Sequence, residues 1–447
     1  MRPIVDIKSR CFDISTETIG AGGFSLVKIA YNRGHKTPIA LKICHCNSET
    51  EWLQSLNEIC LLKKLVHTNI ARINNYEITR FHVLIGIDKG ESTLRQFISN
   101  EDVHRLRSYA ISITSQIVNA LNFIHCHKII HGDIKPNNII YTASSDNIRI
   151  QLIDFGLSHV VGRLDSSTPV NAGGTKVYLA PERLSHSIYN EQSDIFSAGI
   201  VFFELLFKLH PFYIEGENYV EFMKNKPDPK FPQGYQSQVS KEWLEILCSM
   251  LSYNPKNREE VRNNKLLKTK YEGISVDHQL EALNNIGKGE EAEKTEKYTD
   301  AAIHFMDASI NLAISKHEAD IQTKDFIASL DTQIISYRKK AFQSIHLFKH
   351  SFSQYKSTGG KSVYDEYYEY LMEVTASTPS LKHYLEIGYN AELYLCENKC
   401  ECAFQNFMHA LKYLNQVMPS EPTGDRKTII GKKMLQWTNM AETLRSS

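Results

Sequence analysis

One short segment, HGDIKPNN at residues 131–138, restricts the fold of this chain more strongly than any other feature. Asp133 is placed to accept the proton of an attacking hydroxyl group, and Lys135 can lie beside a transferred phosphate. Asn138 can turn back to ligate Mg²⁺ through its side-chain oxygen. We therefore predict a phosphoryl-transfer loop in which Asp133 and Lys135 are catalytic residues.

Two later motifs extend this pattern. IDFG at residues 153–156 follows an apolar strand-like run, so Asp154 is predicted to be a second ligand of the metal ion. GT at residues 174–175 and APE at residues 180–182 then close a segment that begins at Asp154. The order of these motifs predicts an activation segment between the metal site and APE.

A glycine-rich turn lies between two strand-like runs near the N-terminus. Glycines there let backbone N–H groups approach phosphate oxygens without interference from a Cβ atom. The residues of this turn that we predict to bind a nucleotide are Ile19, Gly20, Ala21, Gly22, Gly23, Phe24, Ser25, Leu26 and Val27. Glycine turns are common, so this motif gains its meaning from the motifs that follow it.

Ala40 and Lys42 stand at the end of the next apolar strand-like run, where Lys42 can direct a positive charge into the same cleft. Glu58, on the helix-patterned insert 51–66, is predicted to pair with Lys42 and hold it on the phosphates. A lone lysine or glutamate is usually a solvated surface residue. Their place in this series of motifs is what makes Lys42 and Glu58 candidate catalytic residues, and Ala40 and Lys42 candidate nucleotide contacts.

Taken in this order, the motifs resemble the eukaryotic protein kinase family from Phe12 to Leu267. The resemblance implies an α+β bilobal fold, with ATP bound between a β-rich lobe and a helical lobe, and Mg²⁺ as cofactor. Lys135, two residues after the catalytic aspartate, and Thr175 before APE resemble the serine/threonine branch, so protein hydroxyl groups are the expected substrates. It also implies that Asp194 anchors the catalytic loop.

The resemblance further implies that Arg258 pairs with Glu182 of APE as part of the scaffold. This ion pair and the complete activation segment argue against a lipid or small-molecule kinase.

The sequence departs from the family at two positions. Ser25 replaces the third loop glycine, and Gly132 replaces the arginine that in the family commonly clamps a phosphorylated activation loop. A phosphate in the stretch Ser166-Ser167-Thr168 would have one partner fewer, so we hypothesise that activity depends little on it. The alternative function is a catalytically weak kinase that acts as a scaffold, but Lys42, Asp133 and Asp154 are intact.

The remainder of the chain is helix-patterned and repeats itself. The pattern Ala-xxx-Phe-Met-x-Ala occurs at residues 301–308 and 403–410, a constant offset of 102 residues (403 minus 301). It places small and large side chains on one helix face. We predict three helices in each copy: 276–295, 299–316 and 322–344 in the first, and 381–397, 401–418 and 426–444 in the second.

GEEAEKTEKYTDAAIHFMDASINL in the first copy and ENKCECAFQNFMHALKYL in the second resemble microtubule-interacting-and-trafficking (MIT) domains. These all-α three-helix bundles bind short helical tails, chiefly of ESCRT-III subunits. A kinase followed by tandem MIT-like bundles resembles the Unc-51-like autophagy kinase family, which implies ESCRT-III or autophagy factors as partners. The expected domains are residues 1–270 (kinase), 274–346 (first bundle), 347–378 (connector) and 379–447 (second bundle).

Composition excludes several other classes. The 51 basic and 51 acidic residues give no basic excess, which argues against a nucleic-acid-binding protein. The most apolar stretch, Ala198 to Phe207, is interrupted by Glu204 and is too short to span a membrane. The N-terminal residues lack the apolar core of a secretory signal. Nine scattered cysteines without framework spacing indicate reduced thiols, and therefore a cytoplasmic protein.

Overall fold

The computed structural model describes the greater part of the chain. The described residues are 9–21, 25–46, 48–79, 82–144, 147–160, 176–186, 190–212, 219–264, 267, 277–318, 324–354, 375, 378–396, 400–420 and 425–446. Residues 10–345 form one compact unit, and residues 346–447 belong to a second. The predicted residues Gly22, Gly23, Phe24 and Thr175 and the stretch Ser166-Ser167-Thr168 lie outside the described part.

The N-terminal lobe is an antiparallel sheet of five strands with one helix. Its strands follow the order β1-β2-β3-β5-β4. The elements are β1 (Phe12–Ala21), β2 (Ser25–Asn32), β3 (Pro38–His45), α1 (Glu49–Lys64), β4 (Ile73–Ile78) and β5 (His82–Ile87). Ser48 caps α1, because its hydroxyl accepts a bond from the Glu51 N–H while the Glu51 carboxylate accepts one from the Ser48 N–H. The strand-like runs on both sides of the glycine-rich turn, the run that contains Ala40 and Lys42, and the helical insert are confirmed, although β3 continues for three residues past Lys42.

The C-terminal lobe is mainly helical, as the resemblance implied. Its small strands are β6 (Ser92–Thr93), β7 (Ile129–Ile130), β8 (Ile139–Ser144), β9 (Asn147–Leu152) and β10 (His159–Val160). Its helices are α2 (Leu94–Asn100), α3 (Val103–Cys126), α4 (Pro181–His186), α5 (Glu191–Phe207), α6 (Tyr219–Lys224), α7 (Lys241–Met250) and α8 (Pro255–Asn263). The apolar stretch 198–207 is the buried end of α5, so it forms the centre of this lobe's core.

Three further helices follow: α9 (His278–Lys294), α10 (Tyr298–Glu318) and α11 (Lys324–Gln354). The first unit contains α9, α10 and α11 as far as residue 345. They agree with the predicted helices, except that α11 extends ten residues beyond the predicted end at Ser344. No proline or glycine interrupts residues 324–354, so nothing in that stretch stops the helix. A small core between these helices contains Ala282, Leu312, Ala313, Leu330 and Ile334.

The second unit contains α12 (Pro379–Cys396), α13 (Cys400–Val417) and α14 (Asp425–Ser446), close to the predicted ranges. Trp437 is fully buried there and packs edge-on against Tyr389, with ring centroids 5.4 Å apart. The Trp437 indole N–H donates to Glu392, which also pairs with Lys433 at 2.7 Å. A buried ion pair therefore satisfies the one polar group of the central tryptophan.

Among the described residues, no helix is both long enough and apolar enough to cross a membrane.

Candidate active site

Lys42 connects helix α1 to the segment that carries Asp154. It lies in β3 with a nearly buried side chain, and its Nζ is 2.7 Å from Glu58 Oε2 on α1. The same Nζ is 2.8 Å from Asp154 Oδ1. The predicted Lys42–Glu58 contact is thus present, and Asp154 is brought to the same ammonium group.

The charges of Lys42 and Asp154 support each other. Burial by itself would lower the pKa of Lys42, but the carboxylates of Asp154 and Glu58 outweigh it and raise that pKa well above its ordinary value. Burial would raise the pKa of Asp154, yet Lys42 holds it below the usual range. Lys42 is therefore a cation and Asp154 an anion at neutral pH.

Asp133, Lys135 and Asn138 form a second cluster. Lys135 Nζ is 2.6 Å from Asp133 Oδ2, and the Asn138 amide donates to the same oxygen at 2.7 Å. The Asn138 amide also donates to the Asp133 carbonyl oxygen at 2.9 Å. Lys135 and Asn138 therefore orient the Asp133 carboxylate. A backbone bond from Ile153 N–H to the Asn138 carbonyl oxygen, 2.9 Å long, connects this cluster to the segment that carries Asp154.

Asp194 at the start of α5 holds the catalytic loop in place. Its carboxylate accepts bonds from the backbone N–H groups of His131 and Gly132 at 2.8 and 2.9 Å, and it contacts His125 Nε2 at 2.9 Å. Gly132 has a φ of +78°, a conformation that glycine adopts most readily. The predicted anchoring role of Asp194 is confirmed.

His131 packs in the core. Its ring is fully buried 4.8 Å from the ring of Phe155, and its Nε2 lies 3.1 Å from the Ile153 carbonyl oxygen. Burial lowers the pKa of His131, so the ring is neutral. The histidine therefore shapes the floor of the site and orders Phe155.

Asp154 itself has a φ of +68°, in the left-handed region that non-glycine residues seldom occupy. Its neighbours restrain it, because Lys42 binds its carboxylate and the Asn57 amide of α1 donates to the Ser158 carbonyl oxygen at 3.0 Å. Asn57 was not predicted from the sequence. A single asparagine beside Glu58 carries no signal that separates it from a solvated helix residue.

The glycine-rich turn is described on both sides of residues 22–24. Gly20 pairs with Val27, and Ala21 pairs with Leu26, across the antiparallel strands β1 and β2. Val27 in turn lies opposite Lys42 of β3, and Ala40 lies opposite Ile87 of β5. The strand that returns from the turn therefore runs directly beside the triad lysine.

The C-terminal lobe contains the predicted scaffold ion pair. Arg258 is fully buried and binds Glu182 with both terminal nitrogens, at 2.9 and 2.8 Å. Its guanidinium group also lies 5.2 Å from the ring centroid of Phe196. Such a bidentate contact fixes the end of APE, which confirms the predicted pairing.

The donor set at Asn138 and Asp154 fits a magnesium ion. Both residues offer the oxygen atoms that this ion prefers, and the Asp154 side chain is 39% exposed. Within the described ranges, no group of three or more His, Cys, Asp and Glu residues forms a complete metal cage. Two protein oxygens are what Mg²⁺ requires where substrate phosphates and water supply the other ligands.

Comparison with known proteins agrees with this geometry. The family model described as "Protein kinase domain" matches residues 14–271. Calcium-dependent protein kinase 5 of Plasmodium berghei (strain Anka) is 28% identical over 262 residues, which cover 57% of this chain and 45% of that protein. Myosin light chain kinase A of Dictyostelium discoideum is 26% identical over 254 residues, 55% of this chain and 84% of that protein.

Calcium-dependent protein kinase 5 of Plasmodium falciparum (isolate 3D7) is 27% identical over 262 residues. These residues are 57% of this chain and 44% of that protein. The chain therefore spans less than half the length of the two Plasmodium proteins that it matches.

Proposed function

This chain belongs to the protein kinase family, and on that premise we propose that it is an active serine/threonine protein kinase. Protein kinases use ATP as substrate and Mg²⁺ as cofactor. The observation that carries the proposal is the triad in which Lys42 contacts both Glu58 and Asp154. A degenerate kinase that serves only as a scaffold has no need to keep this triad and the Asp133 cluster together.

In the proposed reaction Lys42 binds the phosphates of ATP and Glu58 keeps its ammonium group in position. Asn138 and Asp154 would hold Mg²⁺, which neutralises charge on the phosphates when it is bound. The turn from Ile19 to Val27 is expected to cover the nucleotide, with Ala40 contacting it from β3. Neither the turn nor Ala40 needs to move a proton, so their contribution is binding and orientation.

Asp133 is proposed to accept the hydroxyl proton of the substrate at its carboxylate. Its oxygen Oδ2 is already held by Lys135 and Asn138, which keeps the carboxylate oriented toward the nucleophile. Lys135 is proposed to stabilise the charge that develops on the transferred phosphate. Its position two residues after Asp133 also supports serine and threonine, rather than tyrosine, as the acceptors.

Activation-loop phosphorylation is proposed to matter little. The Arg183 guanidinium group of α4 donates to the Gly132 carbonyl oxygen. The backbone at Gly132 is therefore held by α4, although glycine has no side chain that could bind a phosphate. Treatment of the purified protein with a phosphatase should leave transfer activity nearly unchanged. Loss of activity after treatment would contradict this part of the proposal.

The finer placement rests on the helical tail. We propose the domain limits 1–270, 274–346, 347–378 and 379–447 and a place near the Unc-51-like kinases, with MIT-like bundles that bind ESCRT-III or autophagy-factor tails. The support is the repeated Ala-xxx-Phe-Met-x-Ala pattern on α10 and α13. We also propose a cytoplasmic location. Its support is that Cys11, Cys44, Cys46, Cys60, Cys126, Cys248, Cys400 and Cys402, all in the described part of the chain, are free thiols.

The decisive test is transfer of labelled phosphate from ATP to myelin basic protein by the full chain and by its Asp133→Asn variant. The variant should bind ATP as the wild type does but lose at least about 100-fold in rate, since it lacks the proton acceptor. Asp228→Asn, at an exposed position of the same lobe, is the matched control and should keep full activity. Equal rates for Asp133→Asn and wild type would refute the mechanism, and an inactive wild type would favour the scaffold alternative.

A further inference from the structure

Helix α1 carries Glu58 on one side and is covered by the tail on the other. Cys60 and Lys64 are two and six residues after Glu58, which places them about 160° and about 120° away from Glu58 around the helix. Glu58 meets Lys42 at 2.7 Å. A surface that contacts Cys60 and Lys64 therefore lies on a different side of α1 from the Lys42–Glu58 pair.

Helix α10 of the first bundle makes that contact. The Cys60 thiol donates to the Ile303 carbonyl oxygen at 3.6 Å, and Lys64 Nζ lies 3.0 Å from Asp307 Oδ1 and 3.4 Å from Asn311 Oδ1. Ile303, Asp307 and Asn311 are each four residues apart, so they form one stripe of α10. The contacts advance in the same direction along both helices, which is the pattern of two helices packed side by side.

Lys64 is the polar centre of this interface. A second helix of the bundle contributes Glu281, whose Oε2 is 3.3 Å from Lys64 Nζ. Burial would lower the pKa of Lys64, but Asp307 and Glu281 outweigh that effect and raise it. The ammonium group therefore stays charged between two carboxylates, at a site shielded enough for the ion pairs to count.

The same bundle reaches the beginning of the activation segment. Val160 of β10 packs against the small bundle core that includes Leu312 and Ile334. Burial, followed by the charges of Arg338 and Arg183, lowers the pKa of His159 to about 4. β10 itself pairs with β7, with His159 opposite Ile130, just before the catalytic loop. One bundle thus contacts both α1 and the segment that follows Asp154.

Comparison of the two tail bundles shows that the outer surface of α10 is not needed for packing within the bundle. In α10 a stripe of four apolar residues is buried, between 1% and 5% exposed, within the same continuous core as the kinase lobes: Ile303, Met306, Ile310 and Ile314. At the matching positions of α13 stand four exposed residues: Gln405, Met408, Lys412 and Gln416. At these four described positions the first copy is entirely apolar, and the stripe is buried in the core that it shares with the kinase lobes.

From these contacts we propose that the first bundle, residues 278–345, is a cis-acting positioning element that holds α1 so that Glu58 stays paired with Lys42, and that Lys64 is its main polar contact. The inference rests on the proposed function, because positioning matters only if the site transfers phosphate. The docked bundle coexists with the complete Lys42–Glu58–Asp154 triad. On this proposal, docking favours the active arrangement, and its loss should lower the rate.

The test compares full-length variants by two measurements: hydrogen exchange of the α1 amides without nucleotide, and steady-state transfer from ATP. Lys64→Glu, which faces two carboxylates, should exchange faster in α1 and lose about 5- to 20-fold in kcat/KM for ATP. The double variant Lys64→Glu with Asp307→Lys restores an opposite pair and should recover both values. Lys288→Glu makes the same charge change at an exposed position of α9 and should change neither.

If Lys64→Glu does not fold, Lys64→Gln keeps a polar group for Asn311 and should show a smaller change in the same direction. Unchanged exchange in α1, faster exchange with equal or higher kcat/KM, or failure of the charge swap to rescue would each overturn the proposal. An inactive wild type whose α1 exchange still responds to Lys64→Glu would mean that the docking is right and the proposed kinase function is wrong.

Discussion

The two helical bundles of the tail have the same inner pattern and different surroundings. Ala301, Phe305 and Ala308 of α10 are fully buried, and so are their counterparts at 403, 407 and 410 of α13. Each set packs a large ring between two small residues on one helix face. The inner face therefore specifies a three-helix bundle in both copies, independently of what lies outside it.

The outer faces of the two bundles differ in their exposure to solvent. Met306 of the first bundle is 2% exposed, whereas Met408 at the matching position of the second is 49% exposed. The same residue type thus lies in a core in one copy and in solvent in the other. Two helices with the same inner pattern can therefore have different surroundings. The difference depends on the outer residues, which do not pack inside their own bundle.

The comparison is most severely tested by placing a charge on each of these methionines. Met306→Lys should lower the free energy of unfolding of the first unit by about 3 kcal/mol or more, because it buries an unpaired ammonium group. Met408→Lys should change stability by less than about 0.5 kcal/mol, since its side chain is in solvent. Urea unfolding of the full-length protein measures the Met306→Lys effect in a Trp437→Phe background, where Trp52 and Trp243 report on residues 10–345. It measures the Met408→Lys effect in a Trp52→Phe/Trp243→Phe background, where Trp437 reports on residues 346–447.

Equal losses from Met306→Lys and Met408→Lys would show that the two outer faces are equivalent. The comparison and the proposed docking surface would then both be wrong.

Acid should sharpen the comparison by weakening the kinase lobes. Burial lowers the pKa of His210 from 6.5 to about 4. Its Nε2 lies 3.0 Å from the Val177 carbonyl oxygen, while its Nδ1 accepts from the Phe212 N–H at 3.1 Å, so the neutral ring is fully bonded. Above pH 6.5 the ring is neutral in both states, and between pH 6.5 and 4 only the unfolded state takes up the proton. Stability should therefore fall with pH in this window, by on the order of 1–3 kcal/mol.

Urea unfolding in the Trp437→Phe background, followed through Trp52 and Trp243 at pH 7 and pH 5, checks this expectation. His210→Gln should reduce the loss, because glutamine does not titrate, while His131 and His159 continue to contribute to it. His409→Gln, at the exposed position of α13 that matches Asp307, is the control and should leave the loss as it is. A wild-type stability that is constant from pH 7 to pH 5 would contradict the prediction.

Helical glycines give the smallest and most local test. Gly287 of α9 has open space where a Cβ would stand, so Gly287→Ala should stabilise the first unit by about 0.5–1 kcal/mol through helix propensity. A Cβ on Gly289, two residues later, would lie 2.7 Å from Cε1 of Phe305, so Gly289→Ala should destabilise. In the second bundle Gly388 faces Trp437 in the same way, and Gly431 has open space.

Thermal unfolding of the four alanine variants should therefore give the same alternation of sign in both bundles. This result would confirm that the inner packing is shared although the outer faces differ. Stabilisation by Gly289→Ala would mean that α9 and α10 are not in close contact.

Much of the site could be predicted from sequence because catalysis fixes the spacing of its residues. The residues that act on one phosphate must come from fixed points of a loop, so Asp133, Lys135 and Asn138 form a local motif. Lys42 and Asp154 are far apart in sequence, yet Lys42 lies within one apolar strand and Asp154 closely follows another, each beside a recognisable pattern. The structure then brings all five together with Glu58.

The contacts that support these residues could not be predicted in the same way. Asn57 and Lys64 are ordinary polar residues of a helix, and their partners are distant in sequence. Helix periodicity showed that α10 is amphipathic, but it did not show why its apolar surface extends beyond the face that the bundle needs. The end of α11 was also missed, since the repeated pattern stops before the helix does.

The sequence by itself determined the kinase family, the residues proposed to carry the reaction and the helical nature of both tail copies, because each depends on residues close in the chain. Only the tertiary structure decided that the first copy lies against α1 and β10, with Lys64 between Asp307 and Glu281. An apolar stripe on a helix indicates that some surface covers it. Which surface does so depends on shape and charge over the whole fold, and no local pattern encodes that.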